Sequence, residues 1–217
     1  MFILDKTNTI ANQYLYQLRD KNIQIDRLRF RKNLERLGEI MAYEISKSLQ
    51  FTTRTFETPL GNTTLPLIRE QPILISVMRA AIPFYQGFLN LFDAADSGFI
   101  GAYRVTELPN SKEVEINYLY QAAPNIEGKE VIIVDPMLAT GKSFINTIEN
   151  LLQTHGSPSM IHIASVIAAP EGIDYLKNQL SIPYKIWICS LDDKLNDKSY
   201  IIPGLGDAGD LCFGQKL

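Results

Sequence analysis

The sequence predicts an α/β fold, a parallel sheet with helices on both faces. From residue 72 onward, short apolar runs of strand length alternate with segments of helical periodicity, the pattern of repeated strand–helix–strand units. Two of those runs, Val131-Ile132-Ile133-Val134 and Ile161 to Ala168, are largely apolar, as strands buried on both faces are. The first ends at Asp135, followed by small residues and a helical stripe. Ligands in such sheets bind beyond the carboxyl ends of the strands.

The elements follow in order. From Ile25 to Leu49, apolar residues recur as Leu28, Leu34, Leu37, Met41, Ile45 and Leu49, which is amphipathic helix spacing. Its polar face carries Arg27, Arg29, Arg31, Lys32, Glu35 and Arg36 and reads as a solvated face or a dimer contact. Phe51 to Glu57 alternates, Pro59-Leu60-Gly61-Asn62 reads as a turn, and Thr63 to Ile68 as a return strand, together a projecting hairpin. Strands are expected at Ile73 to Val77, Phe99 to Tyr103, Val114 to Tyr120, Val131 to Val134, Ile161 to Ala168 and Tyr184 to Cys189. Helices are expected at Pro83 to Phe92, at the stripe Phe144, Ile145, Ile148, Leu151 and Leu152, and at Gly172 to Leu180. The expected organisation is a single domain over 1–217: a helical part at 1–50, a hairpin arm at 51–70, an α/β core at 71–190 and a C-terminal segment at 191–217.

Composition excludes several classes. The chain has 217 residues, 46% of them hydrophobic, enough for a sizeable core. A net charge of -3 leaves no overall cationic field for a nucleic-acid backbone, so no nucleic-acid partner is expected. No apolar run approaches the roughly 18 residues that span a bilayer, and Met1 to Lys6 lacks the apolar core of a signal peptide. Cys189 and Cys212 form neither a disulfide framework nor a zinc site, and His155 and His162 are the only histidines. The expected home is a reducing cytoplasm.

The segment Asp135 to Ser143 joins a buried strand to a helix through a loop of small residues. Free N–H groups and the dipole at a helix start form an anion site. Thr140 and Ser143 add hydroxyl donors, and Gly141 lets the backbone approach a ligand. Asp135 is placed for sugar hydroxyls, since two anions would repel. The tail Gly141-Lys142-Ser143 invites the nucleoside-triphosphate loop, but that motif needs glycine where Pro136 stands. Asp135-Pro136-Met137-Leu138-Ala139-Thr140-Gly141 resembles the loop of uracil phosphoribosyltransferases that binds phosphoribosyl pyrophosphate (PRPP). Most type I phosphoribosyltransferases have two adjacent acids at the loop start; Asp-Pro is the variant of the uracil enzymes. The family usually has a second glycine where Lys142 stands.

The tail from Tyr200 to Asp210 holds three glycines within six residues, which reads as neither helix nor strand interior. By composition alone it is a glycine-rich loop with Asp207 and Asp210 as turn formers. Such a loop can also present backbone donors and acceptors to a planar base. Gly204-Leu205-Gly206-Asp207-Ala208-Gly209-Asp210, followed by Phe213-Gly214, is similar to the uracil-binding signature of the same family. The resemblance implies that Ile201, Gly206 and Ala208 contact uracil through the backbone and that Asp207 lies near PRPP and base.

Arg79 and Arg104 follow predicted strands, at the binding edge of the sheet, and arginine offers forked donors to phosphate oxygens. Met78-Arg79-Ala80 and Tyr103-Arg104 resemble the family's two PRPP-contacting arginine segments, although the family usually has glycine at 81 and no proline at 83. Ala168-Ala169-Pro170-Glu171-Gly172 also resembles the family, and Pro170 and Glu171 suit a helix first turn, a structural role. The resemblance runs from about Arg19 to Phe213.

The resemblance implies a type I phosphoribosyltransferase core with an N-terminal helix, a protruding hairpin and a C-terminal hood over the base. It implies a pentosyl transfer for pyrimidine salvage: uracil and PRPP give UMP and pyrophosphate. The implied catalytic residues are Arg79, Arg104 and Asp135. PRPP would be held by these with Pro136, Met137, Leu138, Ala139, Thr140, Gly141, Lys142, Ser143 and Asp207. Magnesium would arrive mainly on PRPP, and a homodimer or higher homo-oligomer is expected. A non-catalytic nucleotide-sensing regulator, or an enzyme for another base such as hypoxanthine, are the rivals.

Overall fold

The computed structural model describes residues 1–104 and 116–215, with the side chains of residues 102–119 outside that description. In chain order the elements are β1 (Phe2–Ile3), α1 (Ile10–Arg19), α2 (Arg27–Ser46), β2 (Phe51–Thr58), β3 (Gly61–Ile68), β4 (Ile73–Met78), α3 (Ile82–Leu91), β5 (Ser97–Arg104) and β6 (Ile116–Ala122). There follow β7 (Glu130–Val134), β8 (Met137–Leu138), α4 (Lys142–Thr154), β9 (Met160–Ala168), α5 (Pro170–Gln179), β10 (Tyr184–Leu191), β11 (Lys194–Leu195), β12 (Ile201–Ile202) and α6 (Ala208–Phe213).

The central sheet has the order β1-β10-β9-β7-β4-β5-β6, with the short β8 also paired to β9. All these pairs are parallel except β5 with β6, so an antiparallel strand closes one edge. Side chains alternate across the pleat and fill two cores. Ile73, Ile75, Val77, Val131, Ile133, Ile161 and Ile163 pack with Phe144, Ile148 and Leu151 of α4 and Ile173 and Leu176 of α5. Leu74, Ile132, Val134, Ala164 and Val166 face the other way, into a cluster with Leu15 and Leu18 of α1, Leu34, Leu37 and Met41 of α2, and Phe84 and Phe88 of α3. The result is three layers, with the sheet sandwiched between helices.

Three local expectations need correction. Leu28 is 63% exposed; the buried stripe of α2 is Phe30, Leu34, Leu37, Met41 and Ile45. Two residues before Phe30 is about 200° around a helix, so the two positions cannot share a face. In the hairpin the register Thr58↔Gly61 makes Pro59-Leu60 the turn, and Gly61 and Asn62 already belong to β3. Gly209 lies inside α6. This short helix is tolerated because Asp207 caps it, accepting from the Asp210 N–H at 2.9 Å, and because Ala208 and Cys212 are buried. The strand expected from Val114 begins outside the described residues and is seen from Ile116.

Candidate active site

Strands β4, β7, β9 and β10 are neighbours and parallel, so their carboxyl ends form one edge. Each end leads into a segment singled out above: Arg79 after β4, the Asp135 loop after β7, Ala169-Pro170 after β9 and the C-terminal tail after β10.

The Asp135 loop is stapled to β9. Val166 and Ile167 donate their N–H groups to Pro136 O at 3.0 and 3.1 Å, and Ala169 donates to Leu138 O at 2.9 Å. Met137 and Leu138 thereby form β8 against Ile167 and Ala168. Gly141 then takes a left-handed conformation, φ 78°, as the cap of α4. A methyl on it would lie 2.8 Å from Gly172 O, and a methyl on Gly172 would overlap Ala139 O. The loop therefore sits directly on the first turn of α5, which explains glycine at both positions. Lys142 is the first helical residue and exposed, so the turn conformation falls on Gly141 and not on the lysine. Ser143 is also exposed, while Ala139 and Thr140 are half-buried.

Asp135 is half-buried at the start of this loop. Its Oδ1 accepts from the Met137 N–H at 3.1 Å, and its carbonyl accepts from Ser165 Oγ at 2.7 Å. Burial pushes its carboxyl up to about 7, against the pull of the Met137 N–H.

Arg79 follows β4. Its Nη2 donates to Asp210 Oδ1 at 2.9 Å and to Gly214 O at 3.2 Å. Its Nε is buried without a partner among the described residues, a donor left over for a ligand oxygen. The family's glycine at 81 is replaced by a buried Ala81 that caps α3, and Pro83 falls in the first turn of that helix, where proline is tolerated. Arg104 closes β5, and its side chain lies outside the described residues.

The tail is held from below. Asp192, just past β10, donates its N–H to Ala168 O at 2.8 Å. Its Oδ2 accepts from the Gly204 N–H at 2.8 Å, and its carboxylate is gripped by Arg19 at 2.5 and 2.9 Å. Ile201 and Ala208 are buried in the core shared with α1, α2 and α3. Gly206 has φ 89° and open space beside it. A cavity of about 480 Å³ opens here, lined by Gln24, Arg27, Gly206, Asp207, Asp210 and Gln215 among others. The Asp135 loop and the tail thus hang on consecutive residues, Leu138 on Ala169 and Asp192 on Ala168.

Arg19, Asp192, Asp210 and Gly172 were missed as site-building residues by sequence reasoning. The rule that picked Arg79, an ionisable residue just after a strand, would also have picked Asp192. Arg19 carries no local signal.

The family model described as uracil phosphoribosyltransferase matches residues 6–215. The chain belongs to the uracil phosphoribosyltransferase family. A Porphyromonas gingivalis protein named uracil phosphoribosyltransferase is 44% identical over 214 residues, covering 99% of this chain and 98% of the relative. A Pyrococcus furiosus protein of the same name is 39% identical, covering 94% of this chain and 86% of the relative. Among solved structures, one from Aquifex aeolicus superposes with a TM-score of 0.84 at 32% identity, covering 99% of this chain and 98% of that one. Family membership covers both loops on which the resemblance to uracil phosphoribosyltransferases was drawn.

Proposed function

We propose that the chain transfers the ribose phosphate of PRPP to N1 of uracil, forming UMP and releasing pyrophosphate. The observation that carries this is the attachment of the Asp135 loop and the Gly206 tail to adjacent residues, Ala169 and Ala168, at one sheet edge. The attachment supports a reading in which a phosphate cradle and a set of backbone groups suited to a flat base serve one substrate pair.

We assign the roles as follows. The first turn of α4, with Thr140 and Ser143, receives the 5′-phosphate. Asp135 accepts hydrogen bonds from ribose hydroxyls. Arg79, with its spare Nε donor, and Arg104 stabilise the charge that develops on the departing pyrophosphate. Gly206 presents its backbone to uracil, flanked by the backbones of Ile201 and Ala208 and by Asp207. Recognition by backbone tolerates little extra bulk, which favours a pyrimidine over a purine. The bond from the anomeric carbon to pyrophosphate breaks as the bond to N1 of the uracil anion forms, the N1 proton having passed to solvent, so alignment of base and sugar is the enzyme's main contribution.

Among the described residues no three His, Cys, Asp or Glu side chains gather as a metal cage. Asp135 and Asp207 each have one carboxylate oxygen engaged with a backbone N–H. That donor set fits magnesium carried on phosphate oxygens with few protein ligands. When bound, the ion would neutralise charge on the pyrophosphate.

No helix among the described residues is long and apolar enough to cross a membrane. The buried, unpaired Cys189 and Cys212 favour a reducing cytoplasm. The exposed Phe51, Phe56, Leu60 and Leu65 on the hairpin favour a homo-oligomer.

The test is UMP formation from uracil, PRPP and magnesium, with hypoxanthine as competitor. UMP forms and hypoxanthine competes poorly. No UMP at any enzyme concentration refutes the activity, and equal use of hypoxanthine refutes the choice of base.

A further inference from the structure

We propose that the ion pair of Arg19 and Asp192 is a positioning device for the base-binding turn, governing uracil recognition without touching substrate. The inference rests on the proposed uracil reading of the Gly206 segment.

The pair is built for geometry. Arg19 engages Asp192 through both terminal nitrogens, and the Asp192 side chain is only 3% exposed. It joins the end of α1 to the end of β10, 173 residues apart. Both partners then close on one residue. The Gly204 N–H donates to Asp192 Oδ2 at 2.8 Å, and the Gly204 carbonyl accepts from Arg19 Nη1 at 3.2 Å. Both backbone polar groups of Gly204 are therefore taken by one side-chain pair. Gly204 has φ 65°, and a methyl there would overlap Ile201 O, so the turn has no alternative residue and little alternative shape.

The constraint ends where the base site begins. Leu205 is buried, and its carbonyl lies within 2.7 Å of the Gln24 side-chain amide. Gly206 comes next, with only Leu211 Cδ1 at 3.8 Å from the position of an added methyl. The residues ahead of Gly206 are pinned, and Gly206 itself faces open space. A buried ion pair is a poor source of net stability, since apolar residues of similar volume often serve as well. A forked, planar grip does fix the direction of a turn. Backbone recognition of uracil depends on that direction, because the donors and acceptors cannot reorient by side-chain rotation.

The experiment uses the full chain with Asp192→Asn and Arg19→Lys. Asp192→Asn keeps the shape and an acceptor for Gly204 but loses the charge pair; Arg19→Lys keeps the charge but loses the fork. We expect KM for uracil to rise about tenfold in Asp192→Asn, with KM for PRPP within about twofold of the parent and kcat little changed. Arg19→Lys lies between the two, and it carries the test if Asp192→Asn does not fold, because Arg19 is partly at the surface. An unchanged KM for uracil, or an equal rise in both KM values, overturns the proposal. Amide hydrogen exchange of residues 204–208 is measured in parallel. Exchange there quickens in the variants while β7 and β9 keep their protection; unchanged protection overturns the clamp. If the parent chain makes no UMP, the uracil reading fails by that result, and the exchange measurement still decides whether the pair holds the turn.

Discussion

Arg79 Nη2 donates to Asp210 Oδ1 at 2.9 Å, and this bond ties the carboxyl end of β4 to the helix that follows the glycine tail. In the proposed reading, the arginine assigned to pyrophosphate and the segment assigned to the base are thus in direct contact. Asp210 stands where a substrate anion would compete for the same guanidinium. Both side chains are about one-third exposed, 35% and 33%, so the pair is solvent-screened and easily exchanged.

From this contact, Arg79→Ala is expected to lower kcat/KM for PRPP by about a hundredfold, the usual scale for losing a charge-stabilising donor. Arg79→Lys restores part of it, since a point charge replaces a fork. Asp210→Asn removes the competing anion and is expected to lower KM for PRPP by about two- to fivefold. Steady-state kinetics with PRPP varied checks all three; a higher KM in Asp210→Asn contradicts the competition.

Gly172 supports the Asp135 loop from below. A methyl there meets Ala139 O, so Gly172→Ala pushes the loop away from α5. KM for PRPP is expected to rise about tenfold or more and KM for uracil far less, because Gly172 meets Ala139 O directly, whereas the tail reaches α5 only through another side chain, the Leu195 N–H donating to Glu171 Oε1 at 2.9 Å, and is pinned at Gly204 by Asp192. A variant whose two KM values move together would show that Gly172 acts on the whole fold instead.

Asp135 predicts a pH dependence of known sign. Its carboxyl titrates at about 7 in the folded chain against an ordinary 3.8. Between those values the folded chain holds a proton that the unfolded chain has lost, so this group's contribution to stability falls as pH rises from 3.8 to about 7. Ribose hydroxyls donate better to the ionised form. kcat/KM for PRPP is therefore expected to rise as pH passes through about 7. Asp135→Asn should be slow at every pH, flat across that window, and higher melting than the parent at pH 8. A variant that keeps the rise assigns it to another group.

Toward the amino ends of β7 and β9, His162 is buried between Trp187 and Glu130. Trp187 Nε1–H donates to His162 Nδ1 at 3.0 Å, so the imidazole proton sits on Nε2 and points to Glu130 Oε2 at 2.9 Å. Burial, with a smaller push from Lys185, lowers its pKa below the ordinary 6.5, while Glu130 pulls the other way. The neutral form is therefore the folded form. Its contribution is full above 6.5 and lost as pH falls through the folded value. Melting temperature is expected to fall between pH 7 and 5, and less so in His162→Gln. The chain's single tryptophan, Trp187, reports the change by fluorescence. Equal pH slopes in parent and variant would remove His162 from the account.

Much of the frame was legible locally. Val131 to Val134, Ile161 to Ala168 and the stripe Phe144, Ile148 and Leu151 are short-range patterns, and each became the expected element. The Asp135 loop was legible for the same reason, because a strand end, a glycine and a helix start are adjacent in the chain. Leu28 and Gly209 misled for different causes. Leu28 is about 200° around the helix from Phe30 and so points to solvent, while Gly209 has poor helical propensity yet sits in α6, held by the Asp207 cap and the burial of Ala208 and Cys212.

Alone, the order of residues determined the chemistry of each loop: an acid with small residues before a helix, and glycines around Asp207. Tertiary structure decided which charges meet. The strand order β10-β9-β7-β4 sets chain-distant carboxyl ends side by side, and only then do Arg19 and Asp192, or Arg79 and Asp210, come within hydrogen-bond reach. Pairings across more than a hundred residues depend on sheet register and packing of the whole molecule, which no window of local sequence contains.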